Sequence, residues 1–134
     1  MTEAGRSVAP DERLRAPEGL RRRRDYQACY RQGRRRKGRL ATLYFRPNDL
    51  RHPRLGITVS RKVGGSVTRH LVKRRIKEIY RRWSERRKMP AFDLVIHVRP
   101  GSAEASFEDW RRELTELLRS LLGRVPSVSR RVSP

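Results

Sequence analysis

The segment LGITVSRKVGGSVTRHLVKRRIKEIYRRW, from Leu55 to Trp83, predicts a strand followed closely by a long helix. Its first part, Leu55–Ser60, is rich in apolar and β-branched residues and predicts the strand. The pair Gly64–Gly65 then breaks the chain and predicts a tight turn. A strand, a turn and a helix in this order are typical of a domain that mixes both kinds of structure.

The predicted helix has an apolar side and a cationic side. Ser66 or Thr68 is expected to cap its start, and we expect it to run to about Arg87. Its apolar residues recur at helical spacing and predict the buried side: Val72, Ile76, Ile79, Tyr80 and Trp83. Four cations fall within about 100° of the helix circumference beside that side: Lys73, Arg74, Lys77 and Arg81. The helix therefore packs inward and presents a row of cations outward.

A row of cations matches the phosphates along a nucleic-acid backbone. The turn before the helix adds Arg61 and Lys62, and the N–H groups at a helix start attract phosphate. The turn lacks the GK[ST] of a Walker loop. A merely solvated charged face is the alternative, but such faces normally mix signs, and only Glu78 and Glu85 interrupt this one. Nucleic-acid binding is therefore favoured.

The charge of the whole chain also indicates a polyanionic partner. The chain has 35 Lys and Arg residues against 14 Asp and Glu, a formal charge of +21. Leu20–Arg39 has ten basic residues and one acid, Arg61–Lys88 has twelve and two, and Ala91–Gly123 has four Arg against six acids. A compact domain with this excess repels itself, and its uneven distribution predicts a basic face. Nucleic acid is the first candidate partner and an anionic membrane surface the second.

Composition argues against several other classes. No stretch approaches the ~20 apolar residues of a membrane span, and no secretory signal is expected at the start. Cys29 is the only cysteine, which excludes an internal disulfide and a cysteine-based zinc cluster and favours a cytoplasmic location. His52, His70 and His97 are far apart and lack metal-ligand spacing. We therefore predict no catalytic residue and no metal-binding residue.

The segments before and after the central stretch predict the rest of the domain. Arg23–Gln32 is expected to form a helix closed by Gly33 at the position after its C-cap. Leu40–Phe45 predicts a strand, and Pro47–Asp49 a turn. Phe92–Val98 predicts another strand, because it is mostly apolar.

A last helix is expected after Ser106, which can cap it with Asp109 three residues on. Its predicted core face consists of Phe107, Trp110, Leu114, Leu117, Leu118 and Leu121. The sum is an α+β domain, a small two-layer sandwich in the order α-β-β-(β)-α-β-α. We place the domain at residues 20–123, with a disordered arm at 1–19 and a flexible tail at 124–134.

Tyrosines beside arginines form a further pattern. Tyr26 and Tyr30 stand four residues apart on the first helix among arginines, and Tyr44 lies in the first strand. Aromatic rings beside arginines can form a stacking platform for single-stranded bases. The alternative is that the helix tyrosines are core residues with their hydroxyls at the rim.

These blocks together resemble a known family. Leu55–Trp83 resembles the signature of the bacterial ribonuclease P protein subunit: a strand, a Ser-Lys-Lys-like turn, a glycine, and a helix that opens Arg-Asn-Arg and continues Lys-Arg-x-x-Arg-Glu. LRRRRDYQACYRQGRR, Leu20 to Arg35, is similar to the family's first helix. DLVIHVRPGSAEASFEDWRRELTELL, Asp93 to Leu118, is similar to its last strand, Arg-Pro turn and final helix. Where the family has Arg-Asn-Arg, this chain has Arg69-His70-Leu71.

The resemblance implies a fold like domain 2 of ribosomal protein S5, with a left-handed βαβ crossover that departs from the usual hand. It implies a subunit of an endonuclease that removes the 5′ leader of precursor tRNA and generates the mature 5′ end. A large RNA would hold the magnesium ions and do the chemistry, and the protein alone would bind no cofactor. The residues implied to face that RNA are Arg61, Lys62, Arg69, His70, Lys73, Arg74, Lys77 and Arg81. Those implied to bind the leader are Tyr26, Tyr30 and Tyr44.

Other functions stay open at this point. A ribosomal or other structural RNA-binding protein shares the charge pattern but has no role in processing. A self-sufficient protein nuclease would need carboxylates that the sequence does not show. A helix that reads a DNA groove is a weaker alternative.

Overall fold

The computed structural model describes residues 18–124, and these residues form three α-helices around one four-stranded sheet. The α-helices are α1 (Arg23–Gln32), α2 (Ser66–Arg82) and α3 (Phe107–Arg119). The strands are β1 (Arg34–Lys37), β2 (Ala41–Pro47), β3 (Arg54–Thr58) and β4 (Phe92–Val98). Two short 3-10 helices, Ser84–Lys88 and Ser102–Glu104, precede β4 and α3. The predicted α+β class and element order are confirmed.

The sheet has the order β1-β2-β4-β3, so β1 and β3 are its edges. β1 pairs antiparallel with β2, and β2 pairs antiparallel with β4. β3 and β4 are parallel neighbours joined through α2. This is the predicted βαβ unit; the left hand expected for its crossover stays a prediction.

Alternate residues of each strand face opposite sides of the sheet. On one side Leu43, Phe45, Leu94 and Ile96 pack with α2 and α3 to form the main core, which includes the fully buried Trp110. The other side is covered in part by α1, whose Cys29 packs with Leu20 and Val95. The sheet and the α2–α3 layer form the predicted sandwich, and the short helix α1 adds a smaller layer on the opposite face.

Helix α2 differs from the prediction at both ends. Gly65 is its N-cap, and neither Ser66 nor Thr68 provides the expected side-chain cap. The helix ends at Arg82, where the next residue, Trp83, takes an extended conformation (φ −66°, ψ 119°). Trp83 packs partly buried against the main core, and this contact turns the chain into the 3-10 helix that occupies the rest of the predicted range.

Gly33 ends α1 for a different reason from the one expected. Its backbone is extended (φ −82°, ψ 169°) rather than left-handed. A Cβ at this position would lie 2.5 Å from the carbonyl oxygen of Cys29 and 2.7 Å from that of Phe45. Gly33 therefore allows α1 and β2 to approach closely.

The start of α3 confirms the predicted cap and corrects one core residue. The backbone N–H of Asp109 donates to Ser106 Oγ at 3.0 Å. Phe107 is 41% exposed, because it is the first helical residue after the cap and lies beyond the edge of the core. The remaining predicted core residues of this helix are buried or partly buried against the main core.

The predicted terminal segments lie almost entirely outside the described residues. Of the first, the structure describes Glu18 and Gly19, and Gly19 forms a single parallel bridge with Leu55. Of the second, it describes Arg124.

Candidate nucleic-acid interface

A groove of about 510 Å³ runs along the edge strand β3 between α1 and α2. It is lined by Arg21, Arg23, Tyr26, Gln27, Tyr30, Ile57, Thr58, Val59 and Lys73. The fold thus brings Tyr26 and Tyr30, two of the predicted tyrosines, into the same groove as Lys73, the first cation of the α2 row. Arg21, just before α1, and Arg23, at its start, also line the groove. Arg21, Arg23 and Gln27 were not among the predicted site residues, and only their position beside the tyrosines indicated a role.

Tyr30 is the best-fixed side chain of the groove. Its hydroxyl lies 2.9 Å from Thr58 Oγ1 and 2.9 Å from His97 Nδ1. Its ring meets that of Tyr44 edge-on, with centroids 4.7 Å apart. Burial raises the pKa of Tyr30 and lowers the pKa of His97. A neutral imidazole can accept a hydrogen bond at Nδ1, so these directions fit the observed contact.

Tyr26 rests on a glycine of the neighbouring strand. A Cβ at Gly56 would lie 2.7 Å from the Tyr26 ring, so a side chain there would displace the tyrosine. The Tyr26 hydroxyl donates to the carbonyl oxygen of Leu20 at 3.3 Å. Tyr26, Tyr30 and Tyr44 are all partly buried against the small α1 cluster. Packing therefore holds each tyrosine in place while leaving part of the residue exposed.

The residues of α2 and its preceding turn that are expected to face the RNA fall into two groups. Arg61, Lys62, His70, Lys73, Arg74 and Lys77 are exposed. Arg69 and Arg81 are partly buried and have partners within the chain: Arg69 Nε donates to the carbonyl oxygen of Gly64 at 3.2 Å, and Arg81 Nη2 lies 2.5 Å from Glu78 Oε1. The hydrogen bond from Arg81 lowers the pKa of Glu78. Arg69 thus also fixes the turn, and the ion pair with Glu78 partly neutralises the charge of Arg81.

A buried carboxylate that sequence reasoning missed holds α1 near the sheet. Asp93 is 1% exposed, and both of its oxygens accept from Arg54 at 2.8 Å. Asn48 Nδ2 adds a third hydrogen bond at 2.9 Å, and Arg54 also lies 3.6 Å from Asp25 of α1. An acid at the start of a mostly apolar strand was the only signal in the sequence.

The strand β1 was predicted only as an unplaced third strand. All four of its residues, Arg34–Lys37, are basic and exposed. The sequence shows them as part of an arginine-rich segment, and only the sheet pairing reveals that they form an edge.

Residues 18–124 hold neither a cluster of metal-binding side chains nor a helix suited to spanning a membrane. These residues contain no group of three or more His, Cys, Asp or Glu side chains that could hold a metal ion. No helix within them is long and apolar enough to cross a membrane.

Burial raises the pKa of the Cys29 thiol to about 12, so this cysteine is not a nucleophile at neutral pH.

Known proteins are similar to this chain in both sequence and fold. The family described as Ribonuclease P matches residues 14–122. The ribonuclease P protein component of Alkaliphilus metalliredigens is 35% identical over 102 residues, covering 76% of this chain and 91% of the relative. That of Syntrophobacter fumaroxidans is 37% identical over 116 residues, covering 87% and 92%. The solved ribonuclease P protein of Thermotoga maritima superimposes with a TM-score of 0.70 at 32% identity, covering 79% of this chain and 99% of that one. The chain therefore belongs to the ribonuclease P protein family.

Proposed function

We propose that this chain is the protein subunit of a ribonuclease P that removes the 5′ leader of precursor tRNA and generates the mature 5′ end. Its direct partners would be the ribonuclease P RNA and the precursor tRNA, and it would act in the cytoplasm. The observation that supports this best is the groove in which Lys73 of the α2 row lies together with Tyr26 and Tyr30 of α1. One surface thus combines cations for phosphates with aromatic rings for bases.

The exposed basic residues of α2 and its turn, together with His70, are proposed to bind the catalytic RNA. Arg61, Lys62, His70, Lys73, Arg74 and Lys77 are exposed, so they can meet phosphates without losing a partner inside the protein. Arg69 and Arg81 would contribute charge from more fixed positions. Leu71, which is 43% exposed, offers the RNA apolar contact where the family's arginine would offer a charge-assisted hydrogen bond.

The groove is proposed to bind the leader. Single-stranded RNA binds where aromatic side chains stack on bases and cations follow the backbone. Tyr26 and Tyr30 line the groove, Tyr44 supports Tyr30, and Arg21, Arg23 and Lys73 supply the charge. Because the tyrosines are already fixed by packing and hydrogen bonds, little order has to be created when RNA binds.

The chemistry itself is assigned to the RNA. The proposed magnesium ions would be held by RNA phosphates, and the protein would act by bringing two polyanions together. The catalytic RNA and the precursor tRNA repel each other, and a basic subunit between them lowers that repulsion and releases counterions.

A processing assay tests the proposal. Precursor tRNA is incubated with a bacterial ribonuclease P RNA at low magnesium, with and without the full chain. We expect the protein to increase the cleavage rate and to leave the cleavage site unchanged. A rate that does not change on addition of protein would overturn the proposed function. Cleavage by the protein without RNA would favour a protein nuclease instead.

Leader length separates the proposal from a structural RNA-binding protein. If the groove binds the leader, affinity for precursor tRNA rises as the leader is lengthened by a few nucleotides and then levels off. A structural RNA-binding protein without a processing role predicts the same affinity for precursor and mature tRNA.

A further inference from the structure

Strand β1 forms a basic edge of the sheet, opposite the edge along which the groove runs. The groove follows β3, whereas β1 lies three strands across the sheet at the opposite edge. All four residues of β1 are exposed. Within residues 18–124, none of these four side chains forms an ion pair or a hydrogen bond with another side chain, so each can meet an external anion without losing such a partner.

The pairing of β1 with β2 divides these four cations between the two faces. Arg35 is opposite Tyr44 and Lys37 is opposite Thr42. Arg34 and Arg36 are opposite the core residues Phe45 and Leu43. Because alternate residues face opposite sides, Arg35 and Lys37 share the face of Tyr44, which is the face that α1 covers only in part.

A register row joins the groove to this edge. Thr58 of β3 is aligned with His97 of β4, His97 with Thr42 of β2, and Thr42 with Lys37. Tyr30 lies at the groove end of the row and contacts both Thr58 and His97. The row crosses three strand spacings of about 4.8 Å, a path of ~14 Å, which a few nucleotides of single-stranded RNA can span.

We infer that Arg35 and Lys37 form a second phosphate-binding site, for the part of the single-stranded leader that leaves the groove and crosses the sheet. This inference rests on the proposed function, because it extends the path of the same leader. The nucleotides on Arg35 and Lys37 are those farther from the cleavage site than the nucleotides stacked on Tyr26 and Tyr30. The site recognises phosphate and not base sequence, since Arg35 and Lys37 are exposed cations and strand β1 itself carries no aromatic residue.

A different explanation of the four cations is protection of an exposed edge. Charged side chains on an edge strand prevent edge-to-edge pairing between proteins. That role depends on the charge of the strand as a whole and makes no distinction between its two faces. The two faces can therefore be compared with matched variants of the same strand.

The test compares Arg35→Gln/Lys37→Gln with Arg34→Gln/Arg36→Gln. Both variants lose two positive charges from β1, one Arg and one Lys from the face of Tyr44 in the first and two Arg from the core face in the second. Affinity is measured for the complex of ribonuclease P RNA and protein with precursor tRNAs whose leaders are lengthened one nucleotide at a time. We expect Arg35→Gln/Lys37→Gln to weaken binding of long leaders about threefold or more and to lower the log–log salt slope by about 0.7 per lost phosphate contact. The same variant should bind short leaders as tightly as the unsubstituted protein does. Arg34→Gln/Arg36→Gln should bind both short and long leaders as tightly as the unsubstituted protein does.

The possible failures are distinguishable. If the unsubstituted protein shows no dependence on leader length, the leader groove itself is wrong. If it shows that dependence but the two variants behave alike, the second site is wrong and the groove stands. Equal weakening of short and long leaders by Arg35→Gln/Lys37→Gln would also overturn the second site, because the cations would then contact another part of the RNA.

Crosslinking gives a second measurement that does not depend on lost charge. Cys29 is fully buried, so a thiol introduced by Lys37→Cys is the accessible one for a photoreactive label. The labelled protein should crosslink to leader nucleotides beyond those in the groove. The matched control is Arg36→Cys, one residue away on the other face, which should not crosslink to the leader. Crosslinks of equal yield from both positions would contradict the path across the sheet.

Discussion

Asp93 and Arg54 form a two-point ion pair inside the sheet, with both carboxylate oxygens 2.8 Å from guanidinium nitrogens. Asp93 is almost fully buried and Arg54 is 22% exposed. Because Arg54 also lies 3.6 Å from Asp25, the pair connects the first turn of α1 to the N-terminal ends of two parallel strands. This charge pair therefore adds to the packing and hydrogen bonds that hold α1, and with it the groove tyrosines, against the sheet.

Replacing Asp93 should destabilise the domain strongly. Asp93→Asn keeps the size of the side chain but leaves the Arg54 charge without its buried partner. Loss of one member of a buried pair costs about 3 kcal/mol of unfolding free energy, which urea unfolding measures. The matched control is Glu108→Gln, which removes the partner of the exposed Arg111 and should leave the urea midpoint unchanged. Equal midpoints for the two variants would show that the Asp93 pair contributes no more than a surface pair.

Glu113 of α3 should stabilise the turn between β1 and β2. Its carboxylate accepts from three successive backbone N–H groups, those of Arg39, Leu40 and Ala41, at 2.8 to 3.0 Å. Glu113→Ala removes these charge-assisted hydrogen bonds, and we expect a loss of about 2 kcal/mol in thermal unfolding experiments. The control is Glu116→Ala on the same helix, whose side chain is exposed. A loss as large for Glu116→Ala would assign the effect to helix propensity and not to the turn.

Local sequence patterns predict the regular elements of this fold well. Arg23–Gln32 and Phe92–Val98 have the predicted bounds, because the apolar spacing and the breaking residues on each side act within one element. The predicted end of α2, about Arg87, was wrong. The helix ends at Arg82 because Trp83 packs against the core, and the helical pattern of the sequence does not show this contact. Strand β1 consists of cations with low strand preference, so its placement follows from its pairing with β2.

In the candidate site, too, the arrangement within one element could be predicted from the sequence, whereas contacts between elements could not. Lys73, Arg74 and Lys77 could be predicted because their spacing on one helix fixes their relative direction. The approach of Lys73 to Tyr26 and Tyr30 could not, because it depends on how two helices pack on opposite faces of the sheet. Arg54 and Asp93 are 39 residues apart in the sequence and meet only through the parallel pairing of β3 with β4.

Tyr30 should act on the leader through its ring. Stacking of one base on an aromatic ring contributes about 1–3 kcal/mol, so Tyr30→Ala should weaken binding of leader-containing precursor tRNA at least about fivefold. Tyr30→Phe loses the contacts to Thr58 and His97 but keeps the ring, and it should bind the leader within about twofold of the unsubstituted protein. Circular dichroism melting of both variants verifies that α1 remains folded. If Tyr30→Phe binds as weakly as Tyr30→Ala, the hydroxyl contacts matter more than stacking.

His97 should make the stability of the domain depend on pH. Burial lowers its pKa from the usual value of 6.5, so below that pH the unfolded chain takes up a proton more readily than the folded chain. The contribution of neutral His97 to the free energy of unfolding is therefore complete above pH 6.5, and it decreases as the pH falls toward the pKa of His97 in the folded state. His97→Gln should reduce this decrease in urea unfolding between pH 7.5 and pH 5, whereas His70→Gln at an exposed position should retain it. An unchanged pH dependence in His97→Gln would assign the effect to other groups.

Reversal of two α2 cations should weaken RNA binding through charge and not through folding. Lys73 and Arg74 are exposed, so Lys73→Glu/Arg74→Glu should leave the melting temperature close to that of the unsubstituted protein. Each lost phosphate contact lowers the log–log salt slope of binding by about 0.7 to 0.9, so a loss of two contacts should reduce it by about 1.4 to 1.8. Filter binding to ribonuclease P RNA between low and moderate salt measures that slope. The control is Arg111→Glu/Arg112→Glu on α3, which makes the same change in net charge on a different helix and should alter the slope much less. Equal slopes for the two variants would mean that the RNA responds to the total charge of the protein, and the row on α2 would then have no special role.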